Sequence, residues 1–411
     1  MASSPKVLLG VTGSIAAYKA AEIVRLLAKR QFEVHVVMTR NAREFITPLT
    51  LQTLSGRPVW TDSFELSLES QVGHIYLVDA ADILLIAPAT ANVIAKTAAG
   101  IADDLLSTML CVAANRPVLF APAMNVQMYQ NPITQENVKR LRGLGYGFIE
   151  PEPGSLACGY EGVGRLADPL KIVEEVLFRL APKDLTGERI LVTAGPTLED
   201  WDPVRFLSNP STGKMGFALA RAAAQRGAAV TLVAGPTNCD HPSHVDCIQV
   251  RSAEQMQAAV LREFPRTTTV IMAAAVSDYR PAEKAAQKIK KVGNSLTLVL
   301  EQTPDILGGL GKKKGDRLLI GFAAETESLI QHAKEKLKKK RLDLIVVNDV
   351  SRGDIGFGAD LNEVRLIGRD GRVTELPKMD KEVLAHRILD QIPVLRKVGG
   401  MEGVGSGEPQ E

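Results

Sequence analysis

The chain has 411 residues, more than the roughly 250–300 at which one hydrophobic core stops growing, so two domains are expected. Hydrophobic residues make up 45% and charged residues 23%, and a formal charge of +2 supplies no global field to draw the chain to nucleic acid or a membrane surface. Anion binding must then come from local clusters. Four cysteines (Cys111, Cys158, Cys239 and Cys247) without CxxC spacing fit a reducing compartment better than a disulfide framework. The N-terminal residues lack a secretory pattern and no apolar run reaches the ~20 residues of a membrane helix, so a cytoplasmic protein is predicted.

In chain order, the apolar run 6–12, a helical segment through Leu26 and Leu27, and a second run at 34–38 predict a βαβ opening. Runs at 83–87 and 118–121 alternate with helical segments at 91–99, 104–113 and 132–144, the pattern of a parallel sheet covered on both faces. A Pro- and Gly-containing stretch at 181–187 restarts the pattern. Strands are then predicted at 190–194, 229–234, 269–276, 317–323 and 342–348, with helices at 213–226, 252–264 and 328–340 and extra strands at 296–300 and 364–367. The fold class is α/β: two doubly wound, Rossmann-like parallel-sheet domains at 1–183 and 184–398. Residues 399–411, rich in Gly and Glu, read as a disordered tail.

The turn after the first strand, Gly10 to Ala17, places small residues and Ser14 where a helix N-terminus can meet a phosphate, although such a turn needs Gly and a capping Ser for structural reasons too. Ala87 to Asn92 and Asp103 to Thr108 follow at another strand end, on the edge where open α/β sheets bind ligands. His74 offers an imidazole for proton transfer, or a capping or core residue. Asn125, after a strand, offers an amide for a carboxylate, or a turn residue. Cys158 lies in Ala157 to Leu166, glycine-rich enough to read as a mobile lid carrying a thiol, or as a plain connector.

In the second half, Ala194 to Gly216 again sets a Gly-rich turn between a strand and a helix, which alone also suits a dinucleotide-binding reductase. Asp278 ends a strand and Thr303 to Leu307 open a helix, while Lys288 to Lys291 and the Lys336/Lys340 pair could supply the cations a triphosphate needs, although lysines at that spacing usually mark a solvated face. Phe322 is the only aromatic between Lys284 and Arg341, too few to stack bases of a nucleic acid. Cys239 to Cys247 contains Cys and His at spacings that fit no standard zinc pattern and reads as a surface loop.

These motifs carry a resemblance over nearly the whole chain. GSIAAYK (13–19), GHI (73–75), APATAN (87–92), PAMNVQMY (122–129) and ACGYEGVGRL (157–166) resemble the flavin-containing cysteine decarboxylases. Together with GPT, DPVR, KIKK, PDI, GFAAET and LDLIVVND in the second half, they resemble the bacterial two-domain proteins with phosphopantothenoylcysteine decarboxylase and phosphopantothenate–cysteine ligase activities.

The resemblance implies an FMN site at Gly13, Ser14, Ile15, Thr39, Thr90, Asn92 and Ala123, with His74, Asn125 and Cys158 acting on substrate. In that family FMN oxidises the thiol-bearing carbon so that CO2 can leave without an unstabilised carbanion. It also implies a nucleotide pocket of Ala273, Ala274, Asp278, Lys288, Pro304, Asp305, Ile306, Leu307, Phe322, Lys336 and Lys340, with Asn209 and Lys288 catalytic. The substrates it implies are 4'-phosphopantothenate, cysteine and CTP or ATP, with Mg²⁺ offsetting the triphosphate. The assembly it implies is a homo-oligomer, a dodecamer in the family, with neither nucleic acid nor membrane as partner. Departures from the family pattern are Tyr160, Leu166, Pro210, Thr212 and Gln302-Thr303. A flavin-plus-nicotinamide oxidoreductase and a phosphatase-regulating binding protein are the competing readings.

Overall fold

The computed structural model describes residues 4–62, 73–155, 161–291, 294–325, 329–349 and 359–401. The chain divides into two compact units, Met1–Ala181 and Pro182–Glu411. No helix among the described residues is long and apolar enough to cross a membrane.

In the first unit β1 (Lys6–Val11), β2 (Glu33–Met38), β3 (Val59–Trp60), β4 (Ile83–Ala89), β5 (Val118–Pro122) and β6 (Gly147–Phe148) form one sheet in the order 3-2-1-4-5-6. Every neighbouring pair is parallel. Strands covered on both faces need apolar side chains at successive positions, and β4 is buried at all seven. Val7, Leu9 and Val11 face the helices Ala20–Lys29 and Pro169–Leu180, while Leu8 faces the helices Ala91–Ala99 and Leu105–Val112. The helix Ala20–Lys29 buries Ile23, Val24, Leu26 and Leu27 and turns Glu22 and Arg25 outward, the spacing of a single apolar stripe.

A hairpin of β7 (Glu152–Ser155) and β8 (Glu161–Arg165) completes this unit. The glycine-rich segment read as a mobile loop is therefore strand over Glu161–Arg165, and Leu166 belongs to the core at 1% exposure. The glycines have a packing cause. A Cβ on Gly164 would lie 2.3 Å from the Met124 carbonyl oxygen, and one on Gly162 would lie 2.7 Å from a Val126 methyl.

In the second unit β9 (Arg189–Ala194), β10 (Leu198–Asp200), β11 (Phe206–Ser208), β12 (Ala229–Ala234), β13 (Asp246–Gln249) and β14 (Thr269–Met272) come first. They are followed by β15 (Tyr279–Pro281), β16 (Leu300–Gln302), β17 (Leu318–Glu325), β18 (Leu344–Asp349), β19 (Leu361–Gly368) and β20 (Val373–Asp380). The main sheet runs 13-12-9-14-17-18-19-20, parallel from β13 to β18, with β19 and β20 added antiparallel. Its six parallel strands, β13 to β18 in that order, thus repeat the order of the first unit. The pairs β10–β11 and β15–β16 form separate two-stranded ribbons.

Three local expectations need correction. The strand predicted through residue 276 leaves the ladder at Met272, because Ala273–Val276 turn their backbone to the loop after β9 instead. The strand predicted at 296–300 forms only at Leu300–Gln302, where it pairs with β15. The helix Gln391–Met401 runs past residue 399, where the tail was expected to begin, because Arg396 anchors it: Nε and Nη2 donate to Glu188 at 3.0 and 3.1 Å. Residues 402–411 lie outside the described residues.

Candidate active sites

In the first unit the chain leaves β1 toward β2 and returns to β4 on the other side, so a crevice opens at the carboxyl ends of β1 and β4. Thr12 ties that crevice together. Its hydroxyl, 2% exposed as a residue, donates to the Pro88 carbonyl at 2.7 Å and accepts from the Thr90 N–H at 3.1 Å. Sequence reasoning passed over Thr12, and its signal was slight: a hydroxyl closing an apolar run.

Gly13 follows, and a Cβ there would lie 2.5 Å from the Asn41 Cβ, so only glycine lets the two turns meet. Ser14, in extended conformation, caps a short 3-10 helix, its Oγ accepting from the Ala16 N–H at 3.3 Å. The capping reading of this turn is thus seen directly, and the Ser14 hydroxyl takes up one N–H of the crevice edge. Ile15 is 59% exposed beside it, an apolar side chain at the crevice. Thr39, after β2, folds back on β1 by donating its N–H to the Val11 carbonyl at 3.0 Å. Thr90 caps the helix Ala91–Ala99 through the Val93 N–H at 3.4 Å, and Asn92 stands exposed in its first turn. Ala123, after β5, donates its N–H to the Ala89 carbonyl at 3.0 Å. All seven residues of the expected flavin site thus follow the carboxyl ends of β1, β2, β4 and β5.

Asn125 caps the helix Val126–Gln130, its Oδ1 accepting from the Gln127 N–H at 2.8 Å, and the Met124 N–H donates to the Gly164 carbonyl at 3.0 Å. The β8 glycines therefore set the height of the Asn125 turn. His74 lies in the helix Gly73–Ala80; its side chain and all of Cys158 fall outside the described residues. Asp104 does not reach toward a ligand: it forms a reciprocal capping box with Ser107, and Lys96 pairs with Asp103 at 2.6 Å and Asp104 at 3.1 Å. The hydrogen bond to Asp103 leads in raising the Lys96 pKa, with burial opposing it.

In the second unit the equivalent crevice lies between β9 and β14. The Ala275 N–H donates to the Gly195 carbonyl at 2.9 Å, the Ala274 N–H to Thr193 Oγ1 at 3.2 Å and the Ser277 N–H to Thr197 Oγ1 at 3.0 Å. Asn209 closes over them, its Nδ2 donating to the Ala275 and Val276 carbonyls at 3.3 and 3.2 Å. Both amide donors being held by backbone, Oδ1 is the end of Asn209 presented as an acceptor. The ambiguous glycine turn also has a packing cause: a Cβ on Gly216 would lie 2.5 Å from the Ala194 Cβ, so the helix Lys214–Gln225 needs glycine to lie against β9.

The rest of the expected nucleotide pocket is assembled by Thr303. Its N–H donates to the Asp278 carbonyl at 2.9 Å and its hydroxyl to the Ser277 carbonyl at 2.5 Å, which brings Pro304–Leu307 beside Asp278. Asp305 caps the following helix through the Gly308 N–H at 2.9 Å and accepts from Lys340 Nζ at 2.7 Å. Burial would raise the Asp305 pKa, but Lys340, the Gly308 N–H and Lys336 together lower it. Lys336 Nζ donates to the Phe322 carbonyl at 3.3 Å. Lys336 and Lys340 are half-buried while Lys334, Lys338 and Lys339 are exposed, so the four-residue spacing selects an inward face. Ala273 and Ala274 are half-buried beside these groups; Lys288 is exposed, on a segment without regular secondary structure. Sequence reasoning named Asp202 and Arg205 only as part of a motif. Asp202 is 1% exposed and hydrogen-bonded to Arg205 and to the Ile289 N–H. Burial opposes its ionisation, but those donors and the Val204 and Arg205 amides hold its carboxyl well below the usual range.

Residues 1–181 match the flavoprotein family model, and residues 185–395 match that of the DNA/pantothenate metabolism flavoprotein C-terminal domain. The chain is 46% identical over 404 residues to the coenzyme A biosynthesis bifunctional protein CoaBC of Bacillus subtilis (strain 168), covering 97% of this chain and 99% of the relative. It is 47% identical over 390 residues to the protein of the same name from Vibrio cholerae, covering 94% and 97%. Among solved structures, the C-terminal domain of a CoaBC protein aligns with 43% identity and a TM-score of 0.46, covering 52% of this chain and 98% of that one. A PPC decarboxylase mutant complexed with pantothenoylaminoethenethiol aligns with 35% identity and a TM-score of 0.40, covering 43% and 98%. Identity at this level over almost the full length of both chains decides the matter: the chain belongs to the CoaBC family of coenzyme A biosynthesis bifunctional proteins.

Proposed function

We propose that the second unit joins cysteine to 4'-phosphopantothenate through an acyl-nucleotide, and that the first unit decarboxylates the resulting 4'-phosphopantothenoylcysteine to 4'-phosphopantetheine with FMN. The observation that carries this reading is the 46% identity extending through both halves of a bifunctional relative. The competing nicotinamide reductase is disfavoured by the inward Lys336/Lys340 pair, since a dinucleotide's two phosphates need no such clamp.

The first crevice fits a flavin mononucleotide. The Thr90 cap and the nine-residue helix behind it direct backbone N–H groups at a phosphate, and exposed Ile15 offers an apolar surface for a ring. A flavin held there would supply reversible two-electron oxidation of the thiol-bearing carbon, the chemistry that makes loss of CO2 feasible. The chain's own residues do the rest. Asn125, its oxygen engaged as a helix cap, holds the substrate carboxylate with its amide donors. His74 takes the thiol proton, and Cys158 gives a proton back to the product carbon.

In the second crevice Lys288 stabilises charge developing at the α-phosphate, and Lys336 and Lys340 hold the outer phosphates. Asn209 Oδ1 accepts from the attacking amine of cysteine. Mg²⁺ would bind the phosphate oxygens of the nucleotide, which we take to be CTP, and offset their charge. The chain acts in the cytoplasm as a homo-oligomer.

The test uses purified protein with 4'-phosphopantothenate, cysteine and Mg²⁺, and CTP or ATP in parallel. A yellow protein that releases pyrophosphate and then CO2, faster with CTP, is the expected result. A colourless protein releasing neither would overturn the reading.

A further inference from the structure

Lys288 has the most demanding task in the proposed ligase site, yet nothing regular holds its backbone: residues 286–291 are neither helix nor strand. A lysine must be held to within a fraction of an ångström to act at one phosphate. The holding device lies elsewhere in the chain. Residues 284–289 are fastened at successive points to residues 200–205, the turn between β10 and β11. Lys284 Nζ donates to Asp200 Oδ2 at 3.0 Å, and the Ala285 N–H donates to the Trp201 carbonyl at 2.8 Å. Ile289, the neighbour of Lys288, is gripped on both sides of its residue. Its N–H donates to Asp202 Oδ2 at 3.2 Å, and its carbonyl accepts from Arg205 Nη2 at 2.6 Å.

Asp202 is the hub of this arrangement. Its Oδ1 accepts from the Val204 and Arg205 N–H groups, each at 2.8 Å, and its Oδ2 accepts from Arg205 Nε at 3.0 Å and Nη2 at 2.7 Å. A side chain fully enclosed and ionised is expensive to desolvate, and a turn of this size can be built without one. What the carboxylate adds is a rigid link from the turn to one peptide of an otherwise irregular segment.

We propose that Asp202 is a positioning residue for Lys288, acting through Arg205 and the backbone of Ile289 to fix the lysine for nucleotide transfer. The proposal rests on the role given to Lys288 above. Asp202 touches no substrate in this scheme. Its loss slows transfer to the acyl-nucleotide, leaving the rest of the nucleotide pocket in place.

The test uses the full chain carrying Asp202→Asn, close in shape but without the charge that binds Arg205. Three readouts are taken. Hydrogen–deuterium exchange at the peptide containing Ile289 is expected to accelerate, because its N–H loses its partner. Single-turnover pyrophosphate release at saturating nucleotide is expected to fall roughly 100-fold, the cost of an ångström-scale misplacement, with KM for nucleotide little changed. In a Lys288→Gln background the same substitution is expected to add almost no further loss, since Asp202 acts through Lys288. Decarboxylation of supplied phosphopantothenoylcysteine, carried by the other unit, checks that the protein is folded. If Asp202→Asn does not fold, Arg205→Lys keeps the charge but cannot reach both Asp202 and Ile289, and is expected to behave the same way. Unchanged exchange at Ile289, or losses that multiply in the double variant, would overturn the proposal. Full ligase activity of Lys288→Gln would instead remove the role given to Lys288, while exchange at Ile289 would still report whether Asp202 holds the segment.

Discussion

Replacing Thr12 by valine keeps the shape of a buried side chain and removes the hydroxyl that bridges β1 and β4. Two hydrogen bonds go, the one donated to the Pro88 carbonyl at 2.7 Å and the one accepted from the Thr90 N–H at 3.1 Å. A lost partner leaves a backbone group with part of its desolvation cost uncompensated, so the pair is worth about 2–4 kcal/mol. For a unit the size of Met1–Ala181, that lowers the unfolding midpoint by about 4–16 °C. A chain of two compact units need not unfold in one transition, so a global midpoint is the wrong observable. Flavin fluorescence, which rises on release, reports the first unit alone, and thermal loss of ligase activity serves as the internal control. Thr12→Ser restores both hydrogen bonds and is expected to recover most of the loss. A Thr12→Val protein that releases its flavin at the native temperature, or a serine variant as weak as the valine one, would refute the reasoning.

Further outcomes can be checked with the same protein. Gly164→Ala places a methyl 2.3 Å from the Met124 carbonyl and lifts the Asn125 turn; decarboxylation is expected to slow on the order of 100-fold while pyrophosphate release is unchanged. Lys340→Met removes a cation from the proposed phosphate clamp and a partner of Asp305, and is expected to raise the nucleotide KM roughly tenfold in initial-rate assays. Asp200 has its pKa lowered to about 2, chiefly by Arg251, with burial opposing and Lys284 assisting. A carboxyl lowered on folding stabilises above its unfolded value near 3.8 and loses that contribution as pH falls toward 2. Allowing for its solvent-exposed partners, the contribution is about 1 kcal/mol. Urea titrations should therefore show Asp200→Asn less stable than the native protein at pH 6, with the difference shrinking as pH falls through 2.

The central strands of the two main sheets were legible because parallel strands buried on both faces must be largely apolar, as β4 is throughout and β9 is apart from Arg189 and Thr193, whereas the edge strands β3, β6 and β20 were not read. The turns after strand ends were legible for a related reason: open α/β sheets bind ligands beyond those ends, so the turns holding Gly13 to Ile15 and Thr90 could be located before any coordinates, while Ala123 came from the family resemblance. The short ribbons were not. β7, β8, β10 and β11 have three to five residues each, too few for a period to emerge, and exist because of pairing across a loop. Gly162 and Gly164 were not legible either, for the same reason: Gly164 is glycine because of Met124, forty residues earlier in the chain.

Composition and local pattern sufficed to specify two α/β units, the strand-end edges that carry the candidate sites and the motifs of the family, since each depends on residues adjacent in sequence or repeated at a fixed period. The distinction between an inward and a solvated lysine came only when the helix Leu329–Lys339 docked, setting Lys336 at the Phe322 carbonyl and Lys340, just beyond the helix, at Asp305. The importance of Thr12, Asp202 and Thr303 was hidden in the same way, because their partners lie 76, 87 and 26 residues away in the chain. A hydroxyl or carboxylate looks the same in sequence whether water or a distant backbone satisfies it, and only packing decides which one does.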